Sequence, residues 1–190
     1  MDRAEHICEL WRKYGYVMFP QQRAIYRQIA KRLDPTSSVI EAGCGDGIGG
    51  SLLATRTIGG WRYTGTDIDV SFAKALHPGM DFDVWNIEEP YVRLDKIGYG
   101  TVVAVEVIEH VSNVKSAIDN LKNAPGIPDE LWLSTPNGRN KTDNPHHVHE
   151  YTPAEMLDLL GHADVLHWET FEPAPLDTDV TPLVYHWVRK

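Results

Sequence analysis

Two short stretches of the 190-residue chain gather side chains that do chemistry. In Glu106-Val-Ile-Glu109-His110, two carboxylates and an imidazole stand at i, i+3 and i+4, which share one side if the chain turns helical there. In Asn144-Pro-His-His-Val-His-Glu-Tyr-Thr152, three more histidines, His146, His147 and His149, stand in a polar loop. Carboxylates and imidazoles in that mixture suit a hard-to-intermediate divalent ion: Mg²⁺, Mn²⁺ or Fe²⁺, and Zn²⁺ also fits. The same residues admit other readings. His110 can act alone as a general base, Glu109 can favour the start of a helix, and the loop histidines can be solvated.

A second constellation lies upstream. Val39-Ile40 ends in the acid Glu41 and opens into a loop with glycines at 43, 45, 47, 49 and 50. Positions without side chains let a ligand approach the backbone, and the start of the following helix suits an anion. Gly45-x-Gly47-x-x-Gly50 fits a dinucleotide fingerprint, with Asp67 about 20 residues on, where a ribose acid belongs. Glu41 argues the other way, because an acid before the first glycine disfavours a phosphate and suits an ammonium. A tight turn holding no ligand would also use such glycines.

These residues need elements to position them. "FPQQRAIYRQIAKRLDP" predicts a helix, with Ile25, Ile29 and Leu33 on one face, Arg23, Arg27 and Lys31 on the other, and Asp34-Pro35 as its end. "AEHICELWRKYG" predicts another helix before it. Strands are expected at "SSVIEAG", "WRYTGTDID", "MDFDVWN", "TVVAVEVI" and "ELWLSTPN". Helices are expected from about Gly47 to Thr57, through "SFAKALH" and through "NVKSAIDNLKNA". "TPAEMLDLLG" is punctuated as a helix: Thr152 and Glu155 form a capping box, Pro153 suits the first turn and Gly161 the exit. "DVLHWETFEP" and "PLVYHWVRK" read as a closing antiparallel pair, since their connector is too short for a crossover helix. Alternating strands and helices mean an α/β protein with a mostly parallel sheet. In such sheets ligands sit at the carboxyl ends of the strands, near the switch in strand order. Both constellations fall at such ends.

Glu41-x-Gly43-x-Gly45-x-Gly47, Asp67 and the strand succession resemble the class I S-adenosylmethionine (SAM) methyltransferases over about residues 37–190. The resemblance implies a Rossmann-like seven-stranded, mostly parallel sheet with an antiparallel last strand and helices on both faces. It implies an N-terminal helical extension or cap at 1–34 and a methyltransferase domain at 35–190. It places the glycines and Glu41 near the methionine arm of SAM, Asp67 on the ribose, Ile68 beside the adenine, Asn86 at the adenine edge and Glu106 near the methionine end. "EVIEH" is similar to the metal-binding segment of small-RNA 3′-terminal 2′-O-methyltransferases and of ubiquinone-pathway O-methyltransferases. Glu150-Tyr151-Thr152 matches the tripeptide that follows the last ligand of the RNA enzymes. Carried over, the metal ligands are Glu106, Glu109, His110 and His147, with His149 as the substitute for His147, and the catalytic residues are His110 and Glu109. "STPN" and "NPHHVHEYT" also resemble bacterial and phage methyltransferases tied to sugars and surface glycans.

A formal charge of −9 argues against a protein built to grip long nucleic acid. Residues 1–36 are nonetheless basic, with seven Lys/Arg against four Asp/Glu. Cys8 and Cys44 form no disulfide or metal pattern, "MDRAEHICEL" is not a signal peptide, and "TVVAVEVI" is too short to span a membrane. A cytoplasmic, non-membrane protein is the expectation. Trp11, Tyr14, Tyr16 and Phe19 either line a substrate mouth or pack the first helices on the sheet. The expected activity is O-methylation of a small-molecule or sugar hydroxyl, with SAM as cofactor and Mg²⁺ or Mn²⁺ as a candidate aid. RNA 3′-terminal 2′-O-methylation is the alternative, and a non-catalytic SAM-binding subunit the third reading.

Overall fold

Thr101 to Val105 are buried along their whole length, as a strand covered on both faces must be, and this strand lies at the centre of the sheet. The computed structural model describes residues 20–54, 62–92, 98–174 and 181–190. The elements run α1 (Pro20–Arg32), β1 (Val39–Ala42), α2 (Ile48–Ala54), β2 (Tyr63–Asp67), α3 (Ser71–Leu76), β3 (Asp81–Val84), β4 (Thr101–Val105), a 3₁₀ turn (Ile108–His110), α4 (Val114–Lys122), β5 (Glu130–Thr135), α5 (Pro153–Leu160), β6 (Asp164–His167) and β7 (Leu183–Val188).

The seven strands form one sheet in the order β3-β2-β1-β4-β5-β7-β6. Neighbours from β3 to β5 pair parallel, and β7 runs antiparallel to both β5 and β6. The chain leaves the β1 side after β3 and re-enters at β4, so the order reverses between β1 and β4. Alternate residues of each strand feed two cores. Ile40, Ala42, Val102, Ala104, Leu131 and Leu133 meet Ile118 and Leu121 of α4 and Met156 and Leu160 of α5. Val39, Val103, Val105 and Trp132 meet Ile25 and Ile29 of α1, Leu53 of α2 and Ala73 of α3. This is the three-layer architecture expected, with helices on both faces.

Local punctuation agrees with the sequence. The Thr152 hydroxyl accepts from the Glu155 amide, the Glu155 carboxylate accepts from the Thr152 amide at 2.7 Å, and Gly161 leaves the helix at φ +74°. Helix α1 turns Ile25, Tyr26, Ile29 and Ala30 inward and leaves Arg23, Arg27 and Lys31 exposed. Helix α1, the described part of the segment assigned to an extension, thereby packs on one face of the sheet. Trp11, Tyr14, Tyr16, Phe19 and the helix expected at "AEHICELWRKYG" lie outside the described residues, as does the end of the helix expected to reach Thr57. No helix among the described residues is long and apolar enough to cross a membrane.

Gly50 sits where α2 crosses β2, and a Cβ there would lie 2.1 Å from the Tyr63 hydroxyl. Gly50→Ala is expected to cost roughly 1–3 kcal/mol through overpacking. Gly79→Ala, whose Cβ meets nothing within 4 Å, should stay within about 0.5 kcal/mol of the parent. Urea unfolding of the two variants checks the contrast, and equal midpoints would contradict the close approach.

Candidate active site at the tips of β1, β2 and β4

The loop after β1 is built from left-handed backbone, with Gly43, Gly45 and Gly47 at φ +71°, +55° and +80°. At Gly43 the sheet demands glycine for a second reason: a Cβ would come within 2.3 Å of Val107, in the segment after β4. The two segments that flank the reversal of strand order thus touch. Asp67, at the end of β2, holds the loop. Its Oδ2 accepts from the Gly45 amide at 2.9 Å and its Oδ1 from the Ile68 amide at 2.7 Å. The Cys44 amide donates to the Thr66 carbonyl at 2.9 Å, and the buried Cys44 thiol is pushed well above its usual pKa by burial. Ile68 is 53% exposed, an apolar face presented at the strand tips. Asn86 is half-buried beyond β3, with its Oδ1 accepting from the Glu88 amide at 3.1 Å.

Glu41 has a different place from the one its sequence position suggests. It is fully buried, and its two carboxylate oxygens accept from the hydroxyls of Tyr26 in α1 and Tyr63 in β2. Gly49 admits the pair, because a Cβ there would lie 2.3 Å from the Tyr26 ring and 2.7 Å from Glu41 Oε1. Gly49 and Gly50 are thus explained by two tyrosines, Tyr26 and Tyr63, passing under α2. Burial pushes the Glu41 pKa up to about 7 against the pull of both hydroxyl donors.

The second constellation assembles at the tip of β4. Glu106 leaves the strand at φ +56°, a conformation rare for a side chain larger than glycine. Its amide donates to the Ser134 carbonyl at 3.0 Å, and its Oε1 accepts from the Ser134 hydroxyl at 2.8 Å. The helical turn expected to align all three side chains is a 3₁₀ turn of Ile108–His110 alone, so Glu106 precedes it. Glu109, His110 and His147 each bring one ligand-type atom to within 4.8 Å of the others, and Glu106 stands outside that group. Glu109 is 1% exposed; its Oε2 accepts from Thr135 at 3.2 Å and its Oε1 has no hydrogen-bond partner. His110 Nε2 lies 4.0 Å from that oxygen, and the His110 and His147 rings meet edge to face at 4.9 Å. The histidine loop is tied to this turn, since the Val148 amide donates to the Glu109 carbonyl at 2.7 Å. His146 contributes its carbonyl, 2.9 Å from His110 Nδ1, and His149 turns toward Glu155 at 3.7 Å.

Electrostatics sets this end apart. Burial raises the Glu106 carboxyl to about 7, with the Ser134 hydrogen bond opposing and the Glu150 charge adding to the rise. Burial first, and the Glu106 charge second, push Glu109 well above the ordinary carboxylate range. A bare buried carboxylate oxygen facing two imidazoles is the arrangement a divalent cation would satisfy. The donor set therefore fits a metal ion. Sequence reasoning passed over Tyr26, Tyr63, Ser134 and Thr135; a strand-end acid that needs buried donors is the signal that could have found the tyrosines.

A family model described as a methyltransferase domain matches residues 10–167. The chain is 30% identical over 151 residues to a probable S-adenosylmethionine-dependent methyltransferase of Mycolicibacterium smegmatis, covering 75% of this chain and 56% of that protein. The chain thus spans about half the length of the curated relatives it matches. A TehB-like SAM-dependent methyltransferase from Corynebacterium glutamicum superposes with a TM-score of 0.70 at 18% identity, over 98% of each chain. A small RNA methyltransferase superposes with a TM-score of 0.68 at 16% identity, over 92% of this chain and 26% of its own. At these identities the structural likenesses bear on the fold.

Glu41 makes a prediction about pH. Its folded pKa of about 7 stands above the ordinary 4.5, so the protonated form favours folding. That contribution is fully present below about pH 4.5 and is lost as pH rises through about 7, roughly 3 kcal/mol over the whole range. Glu41→Gln, which cannot ionise, should flatten this part of the stability curve in urea unfolding between about pH 5 and about pH 8. A slope identical to the parent's would contradict the buried placement.

Proposed function

This chain belongs to the methyltransferase domain family, and from that premise we propose that it carries a methyl group from SAM to a hydroxyl of a small molecule or sugar, aided by a divalent cation. The observation that carries the reading is the meeting of two sites on adjacent strand tips. Asp67 and the glycine loop stand on the β1–β2 side, and the Glu109–His110–His147 cluster, with Glu109 buried and the two histidines half-buried, stands beyond β4.

On the donor side, Asp67 accepts the ribose hydroxyls; a carboxylate has about four lone-pair positions, room for these beside the Gly45 and Ile68 amides. Ile68 covers one face of the adenine and Asn86 lies at its edge. Gly43, Gly45 and Gly47 let the backbone approach the methionine arm, and Glu106 stands toward its methyl end. Glu41 acts from beneath the loop, through Tyr26 and Tyr63.

On the acceptor side, Glu109, His110 and His147 would hold the ion, with Glu106 beside them. A divalent ion there would supply Lewis acidity that lowers the pKa of a bound hydroxyl. Two imidazoles with one buried carboxylate suit Mn²⁺ better than Mg²⁺, which prefers oxygen ligands. Without an ion, His110 is the base that takes the hydroxyl proton.

A second reading is 2′-O-methylation of an RNA 3′ end, favoured by this same cluster and by the likeness to a small RNA methyltransferase. The formal charge of −9 weighs against it. RNA affinity that falls steeply with salt would support it.

Calorimetry should show SAM and its demethylated product binding and NAD failing to bind. Asp67→Ala should weaken that binding by about 1.5–3 kcal/mol, the loss of charged hydrogen bonds. Methyl transfer from labelled SAM should be found within a panel of sugars, small hydroxyl compounds and short RNAs, should stop on chelation and should return with Mn²⁺. Activity untouched by chelator would remove the cation and leave His110 as base. Donor binding with no acceptor in any class would favour a non-catalytic subunit.

A further inference from the structure

His147 is held at both ring nitrogens. Its Nδ1 lies 2.5 Å from Glu150 Oε1 and 3.0 Å from Thr142 Oγ1, and its Nε2 lies 2.9 Å from the side-chain amide nitrogen of Asn144. A carboxylate accepts and an amide nitrogen donates, so the proton sits on Nδ1 and the lone pair on Nε2. Ligation through Nδ1 would strip that proton and break a charge-assisted bond. Ligation through Nε2 requires the departure of a neutral amide from an exposed residue.

Glu150 is itself fixed. It accepts from the Thr142 amide at 2.7 Å and from the Thr142 hydroxyl, and its side chain is 6% exposed. The loop is pinned behind it, with the Gly138 amide donating to the Tyr151 carbonyl at 3.0 Å. His110 shows the same division of labour. Its Nδ1 is taken by the His146 carbonyl and its Nε2 is turned toward the unpartnered Glu109 oxygen. Histidines that bind metals commonly anchor their other nitrogen on a carboxylate or carbonyl, which fixes tautomer and ring orientation.

We propose that Glu150 and Asn144 govern the cation site from outside it: Glu150 holds the Nδ1–H of His147 so that Nε2 is the ligating atom, and the Asn144 amide is the group displaced when an ion binds. This rests on the cation reading of the cluster. Glu150 is then a positioning residue, and Asn144 a competitor for the ligating nitrogen.

The test is titration of the full chain with Co²⁺, followed by its visible absorption, and with Mn²⁺ by calorimetry. Glu150→Ala should weaken binding about 10–100-fold. Glu150→Gln, whose carbonyl oxygen accepts the same N–H, should recover most of the loss with the parent Co²⁺ spectrum. Asn144→Ala should bind severalfold more tightly, the opposite of what a merely structural loop contact would give. Affinity for S-adenosylhomocysteine should be unchanged in all three, which reports that the fold is intact. Weaker binding by Asn144→Ala would overturn the competitor role. Equal losses in the two Glu150 variants, with an altered spectrum, would make Glu150 a ligand and overturn the positioning role. A parent chain that binds S-adenosylhomocysteine but neither ion would overturn the cation reading and this inference with it, and would leave the donor site standing.

Discussion

The carboxylate of Asp67 ties the loop after β1 to the tip of β2, and this end of the sheet is arranged around that tie. One oxygen holds the Gly45 amide and the other the amide of the following residue, so the left-handed turns of the glycine loop have a fixed partner. Beneath the same loop a second carboxylate, Glu41, does an opposite job. It is sealed from solvent and satisfied by two phenolic hydroxyls, one from α1 and one from β2. One acid holds the glycine loop and one faces the core, twenty-six residues apart in sequence. Helix α1 is thereby part of the site's foundation, although it precedes the first strand.

The tip of β4 is held by a different balance. Glu106 occupies a left-handed conformation, and Glu109 buries an oxygen with nothing to bond. Two carboxyls so placed repel one another, and burial penalises the charge of each. Natural proteins keep such arrangements where function needs them. The imidazoles of His110 and His147 bring two ligand-type nitrogens to the buried Glu109 oxygen, and Ser134 and Thr135 of β5 steady the two acids.

The architecture was legible because its signals are strong and local. Valine-rich β4 reads as a central strand, the Thr152–Glu155 box announces α5, and the short closing connector demands an antiparallel pair. Residue types pointed to a loop histidine joining Glu109 and His110 but left His146, His147 and His149 open, and the family resemblance singled out His147, the one whose ring nitrogen lies within 4.8 Å of both. What escaped was side-chain direction. Glu41 reads as a ligand contact because it precedes the glycines, yet alternation along β1 and the clearance at Gly49 send it inward to Tyr26 and Tyr63. The spacing of Glu106, Glu109 and His110 predicts one helical face, but the left-handed turn at Glu106 breaks the register before the helix begins. No one-dimensional pattern records that turn, because it arises from long-range pairing of the Glu106 amide with Ser134.

The central claim is that the methyl donor lies across the tips of β1 and β2, with its ribose on Asp67. A crystal structure with S-adenosylhomocysteine bound tests it most directly. The account predicts both ribose hydroxyls within hydrogen-bonding distance of the Asp67 carboxylate and the adenine against Ile68. A ligand elsewhere, or a ribose turned away from Asp67, would contradict it.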